Sequence, residues 1–465
     1  MADPGTLRVD DPFTGELACE LPLATEAEGV AAVERAAGAQ RAWAGVPVRE
    51  RVELVRRFCD ALQARREEVA RDISRQMGKP IAEARGEVGT CAARALHMAS
   101  IAEETLADER LPEKAGFERF VAREPLGVVV DVAPWNYPLL TAINVVAPAV
   151  LAGNAVVLKP ASRTPLCAGH LARAFREAGA PEGLVEPLVA GHAVVAKVLA
   201  RPEVALVALT GSNAAGREVH RGAAQRLLPA VLELGGKDAA YVAEDADLAF
   251  AVPNVVEGAF YNAGQSCCGV KRIYVHARVH DAFLEAALEA ARAWRPGDPA
   301  AEGTTLGPLA TPEAPDELEA QVDGARARGA RVLCGGERAT VDGKGRFFLP
   351  TLMADVPAEA ALAREESFGP LALVERVASD DEAVARVNAS RYGLSASVWT
   401  ASEARAVALG RRIQAGTVYM NRCDFLDPAL PWVGWKESGL GLSLSRYGLL
   451  ALTRPKSFHL RLKTG

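Results

Sequence analysis

Two side chains in this sequence could together perform covalent catalysis, the thiol of Cys267 and the carboxylate of Glu233. Gly264 and Gln265 precede the thiol, and such a segment lets the backbone approach another group closely. A thiol is nucleophilic only as a thiolate, which needs partial access and a positive or dipolar environment. Glu233 lies in the apolar, glycine-ended run 232–236, where loss of water would raise its pKa and prepare it as a base. This pairing favours a covalent thioester route over an inert buried cysteine.

The elements before residue 110 read as support for this chemistry. A hairpin is predicted around 11–15, and Thr25 with Glu28 forms a capping box for a helix that runs to about residue 43. Apolar residues at helical spacing predict one helix over 48–77 and another to about residue 106. Their Arg- and Glu-rich faces are typical of solvated surface, so no chemistry is assigned to them.

Strands and helices alternate from residue 127 onward. The predicted strands are 127–133, 155–159, 185–189 and 205–209, and the predicted helices are 139–151, 165–178, 193–200 and one from 213. This alternation indicates a parallel sheet covered on both faces, with ligands at the carboxyl ends of its strands. The candidate binding segments are therefore 134–137, 159–164 and 210–212. The last opens a helix, where free N–H groups favour phosphate, although no GxGxxG fingerprint is present.

A second alternation follows residue 236. Its predicted helices are 247–262, 278–293, 316–328, 380–389 and 402–412, and its predicted strands are 270–276, 331–334, 371–376, 395–399 and 416–420. We interpret it as a second α/β domain, which places Cys267 and Glu233 at the junction, where clefts bind ligands. Residues 294–315 and 335–350 read as loops. The tail 456–463 alternates like a strand without a nearby partner, so we expect it to pair with another subunit.

Composition excludes several classes of protein. A length of 465 residues suits two or three domains, and 49% hydrophobic with 24% charged residues is ordinary for a globular protein. The net charge of −6 gives no basic surface for nucleic acid. The apolar run 139–158 contains Asn, Pro and Gly, so it predicts a buried helix and strand and no membrane association. Eight cysteines without CxxC spacing and the absence of a leader indicate a reducing, cytoplasmic location, and no metal site is expected.

Seven motifs in order carry a family resemblance. They are Pro-Trp-Asn-Tyr-Pro at 134–138, Lys-Pro-Ala-Ser at 159–162, Thr-Gly-Ser at 210–212, Glu-Leu-Gly-Gly at 233–236, Gly-Gln-Ser-Cys at 264–267, Glu-Glu-Ser-Phe-Gly-Pro at 365–370 and Gly-Trp-Lys-Glu-Ser-Gly at 434–439. Over essentially the whole chain they resemble the aldehyde dehydrogenase superfamily. The resemblance implies an α/β fold with a Rossmann-like cofactor domain (1–110, 128–234 and 436–454), a catalytic domain (235–435), a small β oligomerisation flap (111–127 and 455–465) and a homodimer or homotetramer.

The resemblance also implies a role for each matching residue. Cys267 corresponds to the nucleophile that forms a thiohemiacetal and then a thioester, and Glu233 to the base that activates water for hydrolysis. The Asn136 side chain and the Cys267 backbone N–H correspond to an oxyanion hole, which is often worth about 10²–10³ in rate. The positions that correspond to binding of NAD or NADP are Trp135, Lys159, Ser162, Gly211, Ser212, Leu234, Glu366 and Phe368.

Two positions depart from the family pattern. NAD-preferring relatives commonly carry Glu where this chain has Ser162, and loss of that carboxylate removes repulsion of a 2′-phosphate, which Lys159 could pair. We therefore expect NADP to be accepted and even preferred. Many relatives also carry a Glu where this chain has Ser443, which predicts an altered water network for deacylation.

The predicted substrate walls are aromatic, namely Tyr137, Tyr261, Phe425 and Trp432. Succinate-semialdehyde members use arginines in this region, but Tyr261 and Asn144 occupy those places, which favours a neutral aliphatic or aromatic aldehyde. Arg422 and Lys271 leave an acidic semialdehyde open as the alternative.

Three other functions compete with this one. A CoA-acylating dehydrogenase is disfavoured by Glu233, because acylating relatives tend to lack this base. A cofactor-free cysteine esterase needs a His near Cys267, and the sequence offers no candidate. A catalytically silent relative is disfavoured by the intact Cys267, Glu233 and Asn136.

Overall fold

A computed structural model describes residues 5–462. The chain opens with a hairpin and four helices: β1 (Thr6–Asp10), β2 (Leu17–Pro22), α1 (Glu26–Trp43), α2 (Val48–Ala64), α3 (Arg66–Met77) and α4 (Ile81–Thr105). The capping box at Thr25 and Glu28 is confirmed, with both hydrogen bonds present. The helix predicted over 48–77 is in fact two helices, which meet at Arg65.

The next stretch contains the first strand–helix alternation. Its elements are β3 (Glu109–Arg110), β4 (Phe117–Pro125), β5 (Val128–Val132), α5 (Leu140–Leu151), β6 (Ala155–Lys159), α6 (Leu166–Glu177), β7 (Val185–Pro187), α7 (His192–Leu199), β8 (Val204–Thr210), α8 (Asn213–Ala224) and β9 (Ala230–Glu233). The predicted helices and strands of this region are confirmed. The short strand β9, which carries Glu233 at its end, was not predicted.

The second alternation follows directly. Its elements are β10 (Asp238–Val242), α9 (Leu248–Phe260), β11 (Val270–His276), α10 (His280–Ala293), α11 (Ala314–Arg326), β12 (Arg331–Cys334), β13 (Arg338–Val341), β14 (Lys344–Phe348), β15 (Thr351–Ala354), α12 (Ala361–Arg364), β16 (Leu371–Val377), α13 (Asp380–Asn388), β17 (Tyr392–Gly393), β18 (Ser395–Trp399), α14 (Glu403–Gly410) and β19 (Thr417–Met420). The loop predicted over 335–350 is wrong in part, because β13 and β14 form an antiparallel hairpin there.

The chain ends with β20 (Trp435–Lys436), β21 (Gly439–Leu440), α15 (Ser445–Ala451) and β22 (Thr453–Arg461). Two large sheets organise the protein. The first has the order β21-β9-β8-β5-β6-β7 and the second β12-β15-β16-β11-β10-β18-β19. The strands of each sheet are parallel except at one edge, where β21 and β12 run antiparallel to their neighbours.

Buried apolar side chains fill the space between sheet and helices. In the first sheet, β5 and β6 are almost wholly buried, so they carry the continuous Val/Leu/Ala runs typical of parallel strands covered on both faces. Glu233 ends β9 and Thr210 ends β8, so the carboxyl ends of two neighbouring strands lie side by side. The domain boundaries given above remain a prediction.

The C-terminal strand corrects an expectation. β22 pairs along its whole length with β4 of the same chain, from Thr453 opposite Pro125 to Arg461 opposite Phe117. The tail therefore has a strand partner within its own chain and does not need another subunit to form its backbone hydrogen bonds with a neighbour. The other edge of β22 remains at the outside of the sheet β22-β4-β3. The partner strand lies more than 300 residues away in sequence, so local reading could not find it. Of the helices between residues 5 and 462, none has the length and apolar character to cross a membrane.

Candidate active site

Cys267 follows an unusual turn at the end of α9. A short 3₁₀ turn spans Tyr261–Gly264, and Asn262, Ala263 and Gly264 all have left-handed φ angles of 53°, 53° and 67°. Such angles are costly for residues with a Cβ and persist where the surroundings impose them. A Cβ at Gly264 would lie 2.1 Å from the carbonyl oxygen of Gly369, so this position requires glycine. The turn therefore presses the chain before Cys267 against a second loop, as the Gly-Gln motif predicted.

Buried polar contacts hold this turn. Lys271 Nζ donates to the carbonyl oxygens of Gly264 at 2.8 Å and Gly369 at 2.7 Å. Burial lowers the pKa of Lys271 to about 8. Gln265 accepts a bond from the N–H of Ala310 at 2.8 Å through its side chain. Lys271, which the sequence left open as a cation that binds the substrate, therefore holds the turn through these two hydrogen bonds instead.

The link 234–236, which follows Glu233, packs directly against the backbone of Cys267. A Cβ at Gly236 would lie 2.1 Å from the carbonyl oxygen of Cys267, so only glycine allows this approach. The half-buried Cys267 side chain lines a cavity that Glu233 also lines. The two groups singled out first in the sequence therefore share one space.

Asn136 touches the same turn from the other sheet. The side-chain Nδ2 of Asn136 donates to the backbone carbonyl oxygen of Gln265 at 3.0 Å. The backbone carbonyl oxygen of Asn136 accepts from Lys79 Nζ at 2.8 Å and from Asn262 Nδ2 at 3.1 Å. An amide nitrogen carries two hydrogens, so one donor remains beside the segment that precedes Cys267.

A buried ion pair fixes the segment that carries Asn136. Lys79 and Glu87 pair with side chains only 1% and 2% exposed. Glu87 also accepts from the backbone N–H of Leu139 at 2.9 Å, just before α5 begins. Because a buried pair is stable only when its remaining hydrogen-bonding capacity is used, these contacts lock the loop before α5 in one conformation.

Glu233 is buried, with 8% of its surface exposed. Burial raises its pKa above the ordinary range, while hydrogen bonds from Ser443 and Thr210 and the nearby charge of Arg94 act in the opposite direction. Ser443 Oγ donates directly to Glu233 Oε1. Two backbone hydrogen bonds to Trp432, at 2.8 and 2.9 Å, hold Ser443 in place. The serine that departs from the family pattern therefore contacts the proposed base itself.

The cavity has a volume of about 550 Å³. All four side chains predicted as substrate walls line it, namely Tyr137, Tyr261, Phe425 and Trp432. Cys423 and Arg422 also line it, and the Arg422 guanidinium lies 3.3 Å from the centre of the Phe425 ring.

Asp424 is a half-buried acid at the same cavity that the sequence analysis missed. It accepts from Ser266 Oγ at 3.1 Å and from Cys268 Sγ at 2.9 Å, and burial raises its pKa. Cys268 is buried, and its pKa is raised by its contact with Cys267 and by burial. Cys268 is thus enclosed and bonded to Asp424, whereas Cys267 is half-buried, so Cys267 is the more accessible candidate nucleophile of the two.

Lys159 suits an anionic ligand. It ends β6 with 7% of its surface exposed, burial lowers its pKa, and its Nζ makes no hydrogen bond or ion pair within residues 5–462. Ser162 is exposed nearby in sequence, whereas Arg163 is engaged, since its guanidinium bonds both the side chain and the carbonyl oxygen of Asp10. A buried ammonium without a partner fits the ribose or phosphate of a dinucleotide.

The remaining dinucleotide candidates lie along the ends of β8 and β9. Ser212 caps α8 by accepting from the N–H of Ala215 at 3.2 Å, and Gly211 N–H bonds the Glu233 carbonyl oxygen at 3.0 Å. Leu234 packs against Gly216 on α8. These positions leave the N-terminus of α8 exposed beside β9, as a phosphate site requires.

Glu366 and Phe368 lie on one loop, and Phe368 contacts Trp135. Glu366 Oε1 accepts from the N–H of Gly236 at 3.1 Å, so it is fixed to the link that packs on Cys267. The rings of Phe368 and Trp135 meet edge to face with centroids 5.3 Å apart. Glu365, read as a surface charge, pairs with Arg391 at 2.6 Å. The chemistry of the residues present thus fits a dinucleotide.

The largest omission from the sequence analysis concerns α4, to which it assigned no chemistry. Glu87, Thr90 and Arg94 line the cavity from this helix. Their spacing of three and four residues puts them on one helical face, and that spacing was visible in the sequence. Nothing local distinguished a cavity-facing arginine from the solvated ones around it.

Comparisons with known proteins agree with this geometry. The model of the aldehyde dehydrogenase family matches residues 1–458. Succinate-semialdehyde dehydrogenase [NADP(+)] 1 of Mycobacterium tuberculosis is 38% identical over 94% of this chain and 96% of its own. Succinate-semialdehyde dehydrogenase [NADP(+)] of Deinococcus radiodurans is 38% identical over 96% of this chain and 93% of its own.

Solved structures give the same result. The crystal structure of an NAD-dependent aldehyde dehydrogenase from Sinorhizobium meliloti superposes with a TM-score of 0.96 at 36% identity, covering 100% of this chain and 93% of that one. The α/β fold expected from the sequence is therefore confirmed, and the chain belongs to the aldehyde dehydrogenase family, whose enzymes oxidise aldehydes to carboxylic acids.

Proposed function

We propose that this protein is a hydrolytic aldehyde dehydrogenase that accepts NADP and acts through a covalent thioester on Cys267. The observation that supports it is the cavity lined by both Cys267 and the buried Glu233, with the Asn136 amide against the segment before the thiol. A thiol, a desolvated carboxylate and an amide donor are the groups that this chemistry needs.

The chain's own groups divide the reaction between them. The Cys267 thiolate adds to the aldehyde carbon, forming a C–S bond, and the Asn136 amide and Cys267 N–H stabilise the oxyanion. A nicotinamide held beside Glu366 and Phe368 would supply the hydride acceptor for this carbon, which would leave a thioester on Cys267. Glu233 then takes a proton from water, which attacks the thioester carbon, and the C–S bond breaks to release the acid and the thiolate.

NADP use is supported by two features. Lys159 has no partner within residues 5–462, and the position that often carries a repelling carboxylate is Ser162. The two curated relatives named above are described as NADP enzymes. Because Arg163 is occupied by Asp10, Lys159 is the cation that we assign to the 2′-phosphate.

Two variants test the chemistry. Cys267→Ala should abolish NADPH formation while the cofactor still binds, and retained turnover would move the nucleophile to Cys268. Glu233→Gln should allow one burst of NADPH and then stall, because hydrolysis fails after hydride transfer. If Glu233→Gln lost the burst as well, Glu233 would act earlier, in forming the thiolate.

A CoA-dependent enzyme is the second candidate, and it would show turnover only with added CoA. The buried Glu233 with its two donors argues for water as the acyl acceptor. For the substrate, a neutral aldehyde stays the prediction from the sequence, while the two relatives are named for a carboxylate-bearing aldehyde. We also infer a homo-oligomer through the sheet β22-β4-β3, which sedimentation of the purified protein would test.

A further inference from the structure

A buried cation without a carboxylate partner lines the proposed active-site cavity. Arg94 of α4 is 7% exposed and lies among the side chains around Cys267 and Glu233. Within residues 5–462 no carboxylate lies within 4.0 Å of its guanidinium, whereas the buried Lys79 on the same side of the site is paired with Glu87. A buried charge is costly unless an opposite charge meets it.

The contacts that Arg94 does make leave hydrogen-bond donors unused. Its Nη1 donates to the carbonyl oxygen of Leu140 and to Asn144 Oδ1, both at 3.2 Å. Its Nε and the Nδ2 of Asn144 are buried and have no acceptor in the described part of the chain. The bond to Oδ1 fixes the Asn144 amide so that its NH₂ group is the free end. Arg94 Nη2 also makes no hydrogen bond within residues 5–462 and is not fully buried, so it is the donor that a ligand in the cavity could reach.

The other cation at the cavity and two of its acids already have partners. Glu87 pairs with Lys79, and Asp424 accepts from Ser266 and Cys268. Arg422 is exposed and lies over the Phe425 ring, so water already solvates it. Arg94 is thus the cation in this cavity with charge to offer to a bound ligand.

We propose that Arg94, supported by Asn144, binds the distal carboxylate of the substrate, so that the enzyme selects aldehydes that carry an acid group at their other end. The inference rests on the proposed function and names its substrate class. It places the anion-binding cation on α4, whereas the resemblance predicts the arginines of succinate-semialdehyde members at 144 and 261, where this chain has Asn and Tyr. A guanidinium binds a carboxylate with paired, charge-assisted hydrogen bonds.

The test compares two four-carbon substrates, succinate semialdehyde and butanal, which differ by the carboxylate. The wild-type enzyme should have a kcat/KM for succinate semialdehyde at least tenfold above that for butanal. In Arg94→Met the ratio of the two values should fall about 10- to 100-fold, through KM for the acid, because charge-assisted hydrogen bonds are lost. Arg94→Lys should recover part of that ratio.

The matched control is Arg85→Met, on the same helix. Arg85 pairs on the surface with Glu67 and Glu302, so its loss should leave the ratio unchanged. Equal loss for both substrates in Arg94→Met would overturn the proposal and show that Arg94 acts through Glu233. A wild-type ratio near one would also overturn it, yet leave the dehydrogenase function intact, whereas no turnover of any aldehyde would refute the function itself. If Arg94→Met does not fold, Arg94→Lys carries the comparison, and a wild-type ratio near one still overturns the proposal.

Discussion

Replacing Ser443 with alanine removes one hydrogen bond to the proposed base and leaves the rest of its surroundings in place. Ser443 Oγ donates to Glu233 Oε1, while Thr210 and Arg94 act on the same carboxylate from other sides. A hydrogen bond to a charged group is worth about 1.5–3 kcal/mol. Since about 1.36 kcal/mol corresponds to one pKa unit, the pKa of Glu233 should rise by about one to two units.

The sign of the effect on rate follows from the role of Glu233. The base works as a carboxylate, so hydrolysis slows as the pH falls below its pKa. Burial already places that pKa above the ordinary range, and Ser443→Ala moves it further up. The acid limb of kcat should therefore shift to higher pH by one to two units, with rates that recover in alkaline buffer.

The assay is a pH profile of steady-state NADPH formation, together with the burst amplitude at each pH. A burst that persists at low pH while steady-state turnover falls would place the effect in deacylation. The matched control is Ser457→Ala, at an exposed position of β22. An acid limb that stays in place, or that moves to lower pH, would refute the assignment of Ser443 as the residue that positions the base.

Three further variants test the site. Gly236→Ala should lose activity by at least 100-fold, because its Cβ would lie 2.1 Å from the Cys267 carbonyl oxygen, and full turnover in the purified variant would contradict this contact. Glu87→Gln should lower the free energy of unfolding by about 3–5 kcal/mol, since it leaves Lys79 buried without a counter-charge; an unchanged urea midpoint would show that the pair is not needed. Lys159→Ala should raise KM for NADP more than KM for NAD, and equal increases would assign the 2′-phosphate to another group.

Local sequence determined a large part of this protein. The apolar runs of β5, β6 and β8 predicted these strands correctly, because parallel strands buried on both faces contain few polar residues. The motifs around Cys267 and Glu233 could be read because each combines a reactive group with glycines that allow close backbone contact. The pattern also placed both groups at a junction between two α/β regions, and the structure brings them to one cavity.

What sequence reading missed depends on contacts between distant segments. The strand β9 is only four residues long and pairs with β8 and β21, so its identity comes from neighbours in space. The strand β22 carries an alternating pattern, but its partner β4 lies far away in sequence. Short or half-exposed strands contain too little local signal to name their partners, because pairing is a property of the folded sheet.

The sequence alone therefore determined the family, the nucleophile and base to be tested, and most helices and strands, because those features follow from residue type and periodicity. Only the tertiary structure decided that Ser443 donates to Glu233 and that Arg94 faces the reactive cavity. Ser443 is 210 residues from Glu233, and Arg94 is one arginine among many on amphipathic helices. Their burial and their hydrogen-bond partners distinguish these side chains from their neighbours. Both arise only when the two sheets and α4 pack together.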